Sequence, residues 1–389
     1  MKNYFTLLFA FMLLPSITVN SQPTKYKYVP ESIQYTKKQL TNGNYEGTVN
    51  ANGIPHGLGT LIFSNNSNGL YRYRGQWTNG LIEGFGFKEW NSPDWYVGEL
   101  KSNRMTGIGF FVWESGSQYF GQWNNDLQNG IGFSQNGYKK DFGYWTNGKL
   151  TMSLRDYAKK KYNEDPRLKA LQSQEAKTVT ELSTELGTYT GGWSNGTMSG
   201  YGMMDDGSMI IIGEWLNSVC QHDGKTYTCN YYDGVWIEET YKDGARIGEY
   251  IYYCRDFFLK LNLNNDSIGT GFMIRGRKPF DKYTGEFLLG LDAIYLNGWA
   301  AVFNTYYVQE GERRSFVNSG PLRGYTLDGI YYEGDFEGGK GIGRIVYPQG
   351  SKQVKYEGEI KVSDDYLLHT PDNLTTLRRS KLTTSELVL

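Results

Sequence analysis

The sequence predicts an all-β protein: consecutive short hairpins joined into an elongated, open, twisted meander, interrupted once by a helical insertion. An aromatic-x-Gly-x-aromatic phrase followed by a Gly-x-Gly pair recurs along the chain. It reads Tyr73-Arg-Gly75-Gln-Trp77 with Gly84 and Gly86, Tyr96-Val-Gly98-Glu-Leu100 with Gly107 and Gly109, and Tyr119-Phe-Gly121-Gln-Trp123 with Gly130 and Gly132. The three tyrosines stand 23 residues apart, the period of a stack of small units. Asn79-Gly80, Asn147-Gly148 and Asn195-Gly196 follow the first aromatic phrase, and Ser115-Gly116, Asp206-Gly207 or Gln349-Gly350 precede the next. Asn-Gly favours the tight turn whose two central residues take positive φ, so each unit holds two short strands.

Within a strand, residues two apart share a face, which puts Tyr73, Gly75 and Trp77 on one side with a gap between two rings. An aromatic ring laid in that gap covers the bare glycine backbone and offsets its weak strand propensity. Each ring removes roughly 150–250 Å² from water, so an aromatic ladder should dominate stability.

Along the chain, residues 1–21 carry Lys2, an apolar run from Tyr4 to Leu14 and small residues before Gln22, the pattern of a secretory signal. The run is short for the ~20 residues of a spanning helix, the competing reading. Export is the expectation. Residues 22–44 read as a lead-in and 45–150 as a first repeat array. Residues 151–187 lose the glycines; Asp165 as N-cap, Pro166 at the first helical position and Leu168, Leu171, Val179, Leu182 and Leu186 at helical spacing predict a helix closed by Gly187. It would cover a sheet edge or bind a partner. Residues 188–360 read as a second, more degenerate array, with irregular register over 216–282, and 361–389 as a polar tail. The helical break implies separable arrays, so a fragment of residues 22–150 is expected to stay soluble.

The chain of 389 residues has 41 acidic and 40 basic side chains, which leaves no field to draw nucleic acid or an anionic membrane. Its 49 glycines and 32 tyrosines come without Gly-X-Y regularity, so collagen and low-complexity disorder are excluded. Cys220, Cys229 and Cys254 are the only cysteines; in an exported chain they predict one disulfide of open pairing and one remaining thiol. A zinc set of these three with His222 matches none of the usual ligand spacings.

The repeated set resembles the MORN (membrane occupation and recognition nexus) family, whose units read Tyr-x-Gly-x-Trp, a turn, then Gly-x-Gly. Units begin at Tyr45, Tyr73, Tyr96, Tyr119, Tyr189 (with Gly191 and Trp193) and Tyr332 (with Gly334 and Phe336), and Tyr356 opens a partial one. Degenerate units stand at Phe142-Gly143-Tyr-Trp145, Ile212-Gly213-Glu-Trp215 and Tyr283-Thr-Gly285-Glu-Phe287. The resemblance implies a scaffold or adaptor without an inherited active site or cofactor.

The residues themselves show no nucleophile elbow and no Cys/His phrase of a hydrolase. His56 sits in a repeat glycine phrase, where a hydrogen-bonding role in a turn is expected. Asp205-Asp206 and Glu238-Glu239 point to opposite faces of their strands, which disqualifies them as carboxylate pairs. Gly338-Gly-Lys-Gly341 opens onto a strand, so no helix N-terminus is offered to a phosphate. A non-enzymatic module that binds a protein partner is the leading expectation; a membrane lipid or a glycan is the alternative ligand. The phrase aromatics belong to the core between repeats. Trp90, Trp95 and Trp113 lie outside the phrases and are the candidates for an exposed ligand face.

Overall fold

The computed structural model describes residues 34–369 apart from 65–68, 174–177, 222, 265–267, 277–279, 290–292, 304–306, 315–316, 327–329, 339, 347–354 and 363–367. The expected signal segment and the end of the polar tail lie outside the described residues. Eleven strands form the first sheet in chain order. They are β1 (Gln34–Leu40), β2 (Gly43–Val49), β3 (Pro55–Phe63), β4 (Leu70–Thr78), β5 (Leu81–Trp90) and β6 (Trp95–Lys101). β7 (Arg104–Val112), β8 (Gln118–Asn124), β9 (Leu127–Asn136), β10 (Lys139–Thr146) and β11 (Lys149–Ser153) complete it. The expected lead-in already contributes β1, paired along its length with β2. A second open sheet of nineteen described strands runs from Thr178–Thr184 to Leu368–His369, again in chain order and antiparallel, and absorbs the irregular segment 216–282.

The tyrosines of the phrases occupy one repeated environment. Gly75 faces Gly86, Gly98 faces Gly109, Gly121 faces Gly132 and Gly191 faces Gly202 across neighbouring strands. The ring of Tyr73, Tyr96, Tyr119 or Tyr189 lies over that pair, fully buried. Its hydroxyl donates to a backbone carbonyl three residues on, at Gln76 (2.8 Å), Glu99 (2.8 Å), Gln122 (3.0 Å) and Gly192 (3.0 Å). The tryptophans pack edge-on against these rings, and the indole N–H groups of Trp77, Trp123 and Trp215 donate to the carbonyls of Gly59, Gly109 and Gly202. Tyr332 departs: its ring lies over Gly324 of the preceding strand, and its hydroxyl donates to Gln309 at 3.2 Å.

Because strand residues alternate, the middle residue of each Gly-x-Gly and the one after each unit tyrosine point to the other face. Leu58, Phe85, Ile108, Ile131, Val97 and Phe120 are buried there against Tyr253, Phe258, Ile274 and Phe280 of the second sheet. The two arrays therefore lie face to face. Phe120 stacks on Tyr253 with ring centroids 5.7 Å apart, and the Tyr253 hydroxyl donates to the Phe120 carbonyl at 2.5 Å. Farther along, the inner face turns polar: Lys282 pairs with Glu99 at 2.5 Å, and Gln76 bonds Glu310, which is paired with Arg323. Tyr35 of β1 stacks on Tyr331, whereas Arg255 reaches Gln135 of β9. The chain has doubled back, and the sheets run past each other in opposite directions.

The reversal is made by helices α1 (Leu154–Glu164) and α2 (Pro166–Ser173). Ser153 caps α1, its Oγ accepting from the Asp156 N–H at 3.1 Å. Tyr157 stacks on Tyr144 of the first sheet at 4.8 Å and packs at a tilt against Trp236 of the second at 5.1 Å. Tyr162 stacks on Tyr201, and Leu171 lies over Gly192 and Gly200, where the first sheet supplies no strand. The expected helix start is met: α2 begins at Pro166, and Asp165 caps it by accepting from the Arg167 N–H at 2.9 Å. Two parts of the expectation are corrected: a separate helix, α1, precedes Asp165, and the stretch bearing Val179, Leu182 and Leu186 is not helical. Thr178–Thr184 pairs with Gly187–Ser194 as a strand, because the β-branched Thr178-Val179-Thr180 run suits an extended backbone with a ready partner.

The turns follow the Asn-Gly expectation: Asn79 and Gly80 have φ of 48° and 85°, and Asn147-Gly148 and Asn195-Gly196 repeat it. Ser102-Asn103, Asn125-Asp126 and Asn217-Ser218 make the same turn without glycine.

Two outcomes follow. Gly109→Ala would place a methyl 2.5 Å from a Tyr96 ring carbon, so chemical denaturation should show a loss of about 3 kcal/mol or no folded protein. The fragment of residues 22–150, expected from the sequence alone to stay soluble, would expose Phe85, Ile108 and Phe120. It should sediment as aggregate rather than as a β-rich monomer.

Candidate binding surfaces

The surface open to other molecules is what the ladder leaves over. The rings of Tyr73, Trp77, Tyr96, Tyr119 and Trp123 are core, as are Tyr189, Tyr332 and Phe336; Trp193 is half-buried against Tyr189. Trp95 corrects its assignment to a ligand face. It shares the parity of Val97, so it points between the sheets, 7% exposed, and packs on Phe87, Phe110 and Phe280. Trp90 and Trp113 lie on the outer face, half-buried, each against Phe111.

Trp113 borders a groove of about 520 Å³ whose opposite side is Trp145. The groove exists because β9 breaks the outer-face pattern. The adjoining β7 carries Met105, Phe111 and Trp113 where β9 has Gln128, Ser134 and Asn136; the units at Tyr73 and Tyr189 each hold a single polar residue at these positions, Lys88 and Asp206. Three apolar side chains are thereby replaced by smaller or polar ones beside Tyr119. Trp113 itself is fixed: its ring stacks on Phe111 at 4.5 Å, and its N–H and carbonyl bond Ser117 and Gly116 in the tight turn that follows. A second groove, about 440 Å³, is lined by Lys37, Glu46, Arg72 and Arg74, whose charges meet within the fold as Lys37–Glu46 and as Arg72 and Arg74 on Glu89.

The other available surface is the edge formed by the hairpin tips. Each tip is bonded to its neighbour: the Gly80 N–H donates to the Pro55 carbonyl, Asn103 to Ile82, Asp126 to Met105 and Gly148 to Gln128. Asn103 and Asp126 also accept, through Oδ1, from the Ile82 and Met105 N–H groups at 2.9 and 2.8 Å. On this braced edge Ile54, Leu81, Leu127 and Leu150 are each more than a third exposed, with Arg104 and Lys149 among them. His56 belongs to the same edge, its Nδ1 accepting from the Asn79 N–H at 3.4 Å. The sequence signal for the edge was present, as an apolar residue after Asn-Gly or Asn-Asp, but hairpin tips are read as polar by default.

The ionisable groups inside the fold are engaged structurally. Asp205 is held by Arg155 at 2.7 Å and by the Tyr231 hydroxyl at 2.9 Å, while Asp206 caps its turn by accepting from Ser208 and Met209. Glu238 accepts from the Trp236 indole and pairs with Lys225, whereas Glu239 faces the other way to Arg246. Lys88 is buried in the ladder and donates to the Asn103 carbonyl at 2.7 Å; burial lowers its pKa.

All three cysteines are thiols, in place of the expected disulfide. Cys220 and Cys229 pair with Trp215 and Ile210, five residues apart on one strand and so about 17 Å, far beyond disulfide reach. Cys229 and Tyr253 both pair with Trp236, which puts Cys254 two strands away from Cys229 and on the opposite face. Burial pushes the Cys220 thiol up to about 11 and Cys229 to about 12. His222 lies outside the described residues. Among the described residues no three His, Cys, Asp or Glu side chains converge as a metal set.

A family model described as MORN repeat matches residues 45–68, 73–92, 96–118, 119–135, 189–209 and 332–352. No curated protein matches the chain.

Burial also raises the tyrosine phenols, to about 12 for Tyr162, Tyr241 and Tyr252 and well above the usual value for Tyr73 and Tyr96. These groups hold protons more tightly folded than unfolded. Their stabilisation is complete below the unfolded value of about 10 and is lost as the pH climbs through about 12. Apart from the exposed side chains such as Tyr138 and Tyr232, tyrosinate absorbance should rise in one cooperative alkaline step together with the loss of the circular dichroism signal; a sheet that persists after most of the 32 tyrosines have ionised would contradict this.

Proposed function

The chain belongs to the MORN-repeat proteins, and on that premise we propose that it is an exported, non-enzymatic scaffold holding a protein partner along the braced hairpin edge of its first sheet. The observation that carries this reading is the row Ile54, Leu81, Leu127 and Leu150, exposed apolar side chains on turns that are hydrogen-bonded to one another. A partner docking there immobilises little, since the turns are already ordered, and apolar contacts on rigid backbone are the favourable kind. Ile54 lies over the Gly80 tip and Leu127 over Gly148, so the row forms two apolar groups with Arg104 of the intervening tip between them. The basic Arg104 and Lys149 among them suit a partner that presents apolar and acidic groups together.

A role without catalysis is supported by where the reactive groups sit. Asp205 and Glu238 are committed to ion pairs, burial raises the pKa of the Cys220 and Cys229 thiols, and His56 serves a turn. Export is supported by the pattern of residues 1–21. A membrane lipid as the main ligand finds less support, because Lys37, Arg72 and Arg74 of the second groove are paired within the fold and Lys38 is bonded to the Gly53 carbonyl.

The experiment is a proximity cross-linking comparison between the wild-type chain and the Leu81→Asp/Leu127→Asp variant in the native host. Both residues are exposed, so the thermal midpoint should move by no more than a few degrees. A partner joined to the wild type should disappear from the variant. Partners retained in full by the folded variant would place the interface elsewhere.

A further inference from the structure

The groove between Trp113 and Trp145 is independent of the hairpin edge, and its construction assigns it a ligand of its own. In the ladder Trp77, Trp123 and Trp215 each donate the indole N–H to a glycine carbonyl of the preceding strand. Trp145 holds the same register, with Gly143 opposite Gly132 and itself opposite Gly130, yet its Nε1 is buried without an acceptor in the protein. A buried donor left unpaired costs roughly 1–3 kcal/mol. The preceding unit, which begins at Tyr119, carries Gln128, Ser134 and Asn136 on its outer face, and all three line the groove. Two adjoining units have therefore given up ladder packing at three positions and an indole hydrogen bond at a fourth, and all four departures border one cavity.

We propose that this groove is a binding site for a neutral saccharide. The half-buried Trp113 supplies an apolar face for a pyranose ring, Trp145 contributes to the wall, and Gln128, Asn136 and Ser134 supply donors and acceptors that match ring hydroxyls. The charged lining residues are Asp94 and Glu114, with no lysine or arginine, so an anionic sugar or a phosphate is repelled. The wall is set beforehand: the Asp94 carboxylate accepts from the Glu114 N–H at 2.5 Å, and the Ser115 and Ser117 hydroxyls bond each other at 2.8 Å below Trp113. Binding then requires little ordering of the protein. A basic peptide would also meet the two carboxylates, but it would leave the amide-and-hydroxyl floor without a matching partner.

The test uses the full chain with cellohexaose, maltohexaose and chitohexaose, read by tryptophan fluorescence and by titration calorimetry. At least one should bind, with a change in indole emission. Trp113→Ala should weaken that binding at least about tenfold, whereas Trp90→Ala, the same position one unit earlier and outside the groove, should leave it within about twofold. Ser134→Phe restores the side chain that the neighbouring unit carries at Phe111. It should abolish binding while the thermal midpoint stays or rises. Should that variant fail to fold, Gln128→Met, which restores the residue of Met105, is expected to weaken binding at least about tenfold. The proposal is overturned if none of the three sugars binds at millimolar concentration, if binding survives Ser134→Phe in folded protein, or if a lysine-rich peptide binds the groove in their place. The edge variant Leu81→Asp/Leu127→Asp should bind sugar normally, so the partner reading and this one stand or fall apart.

Discussion

A tyrosine ring laid across two facing glycines is the contact on which the rest of this structure depends. Two Cβ atoms are missing at the same height on adjacent strands, which lets the ring lie flat on the backbone, and the hydroxyl finds its acceptor three residues along the same strand. A large aromatic with a polar tip is thus buried and satisfied within one hairpin, without help from any distant element. The outer face of each sheet closes over itself. That self-sufficiency frees the other face of the same strands to carry a second core.

The inner face uses this freedom unevenly. Next to the unit tyrosines stand Glu46, Arg74, Val97 and Phe120 in turn, so the face changes from charged to apolar along the array. Stacking of Phe120 on Tyr253 and the tilted contact of Trp95 with Phe280 hold the apolar end. At the charged end Lys282–Glu99 and the Gln76–Glu310–Arg323 set cross between sheets. Buried pairs contribute little net stability, yet a slip of one strand would leave each of them unpaired, so they oppose misregistered stacking. Helix α1 supplies the remaining link by wedging Tyr157 between the sheets.

Function has to use what a self-covered sheet leaves exposed. Its regular positions are occupied by packing, and the surfaces open to other molecules arise where the repeat is irregular or ends. The hairpin edge offers turn residues that the ladder never claims. The Trp113–Trp145 groove lies where β9 fails to supply the apolar side chains that its neighbours do. A repeat chain can acquire binding sites by such local substitution, since each unit contacts chiefly its neighbours and the array tolerates a departure confined to one of them.

The hairpin meander, the unit boundaries, the Asn-Gly turns and the core role of Tyr73, Tyr96 and Tyr119 were legible in the sequence by itself, because they rest on contacts within a unit or between adjacent ones, where spacing translates directly into geometry. The substitutions at Gln128, Ser134 and Asn136 were equally visible, though their meaning was not: a polar residue in a strand reads as solvent-facing until the neighbouring indoles are placed beside it. Only the tertiary structure decided that the arrays fold back on each other, that Trp95 is buried between them, that the cysteines stay apart and that Thr178–Thr184 is a strand. Those outcomes depend on contacts between residues more than a hundred positions apart, such as Phe120 with Tyr253, or on which strand edge is left free to pair. A local period of 23 residues carries no information about either.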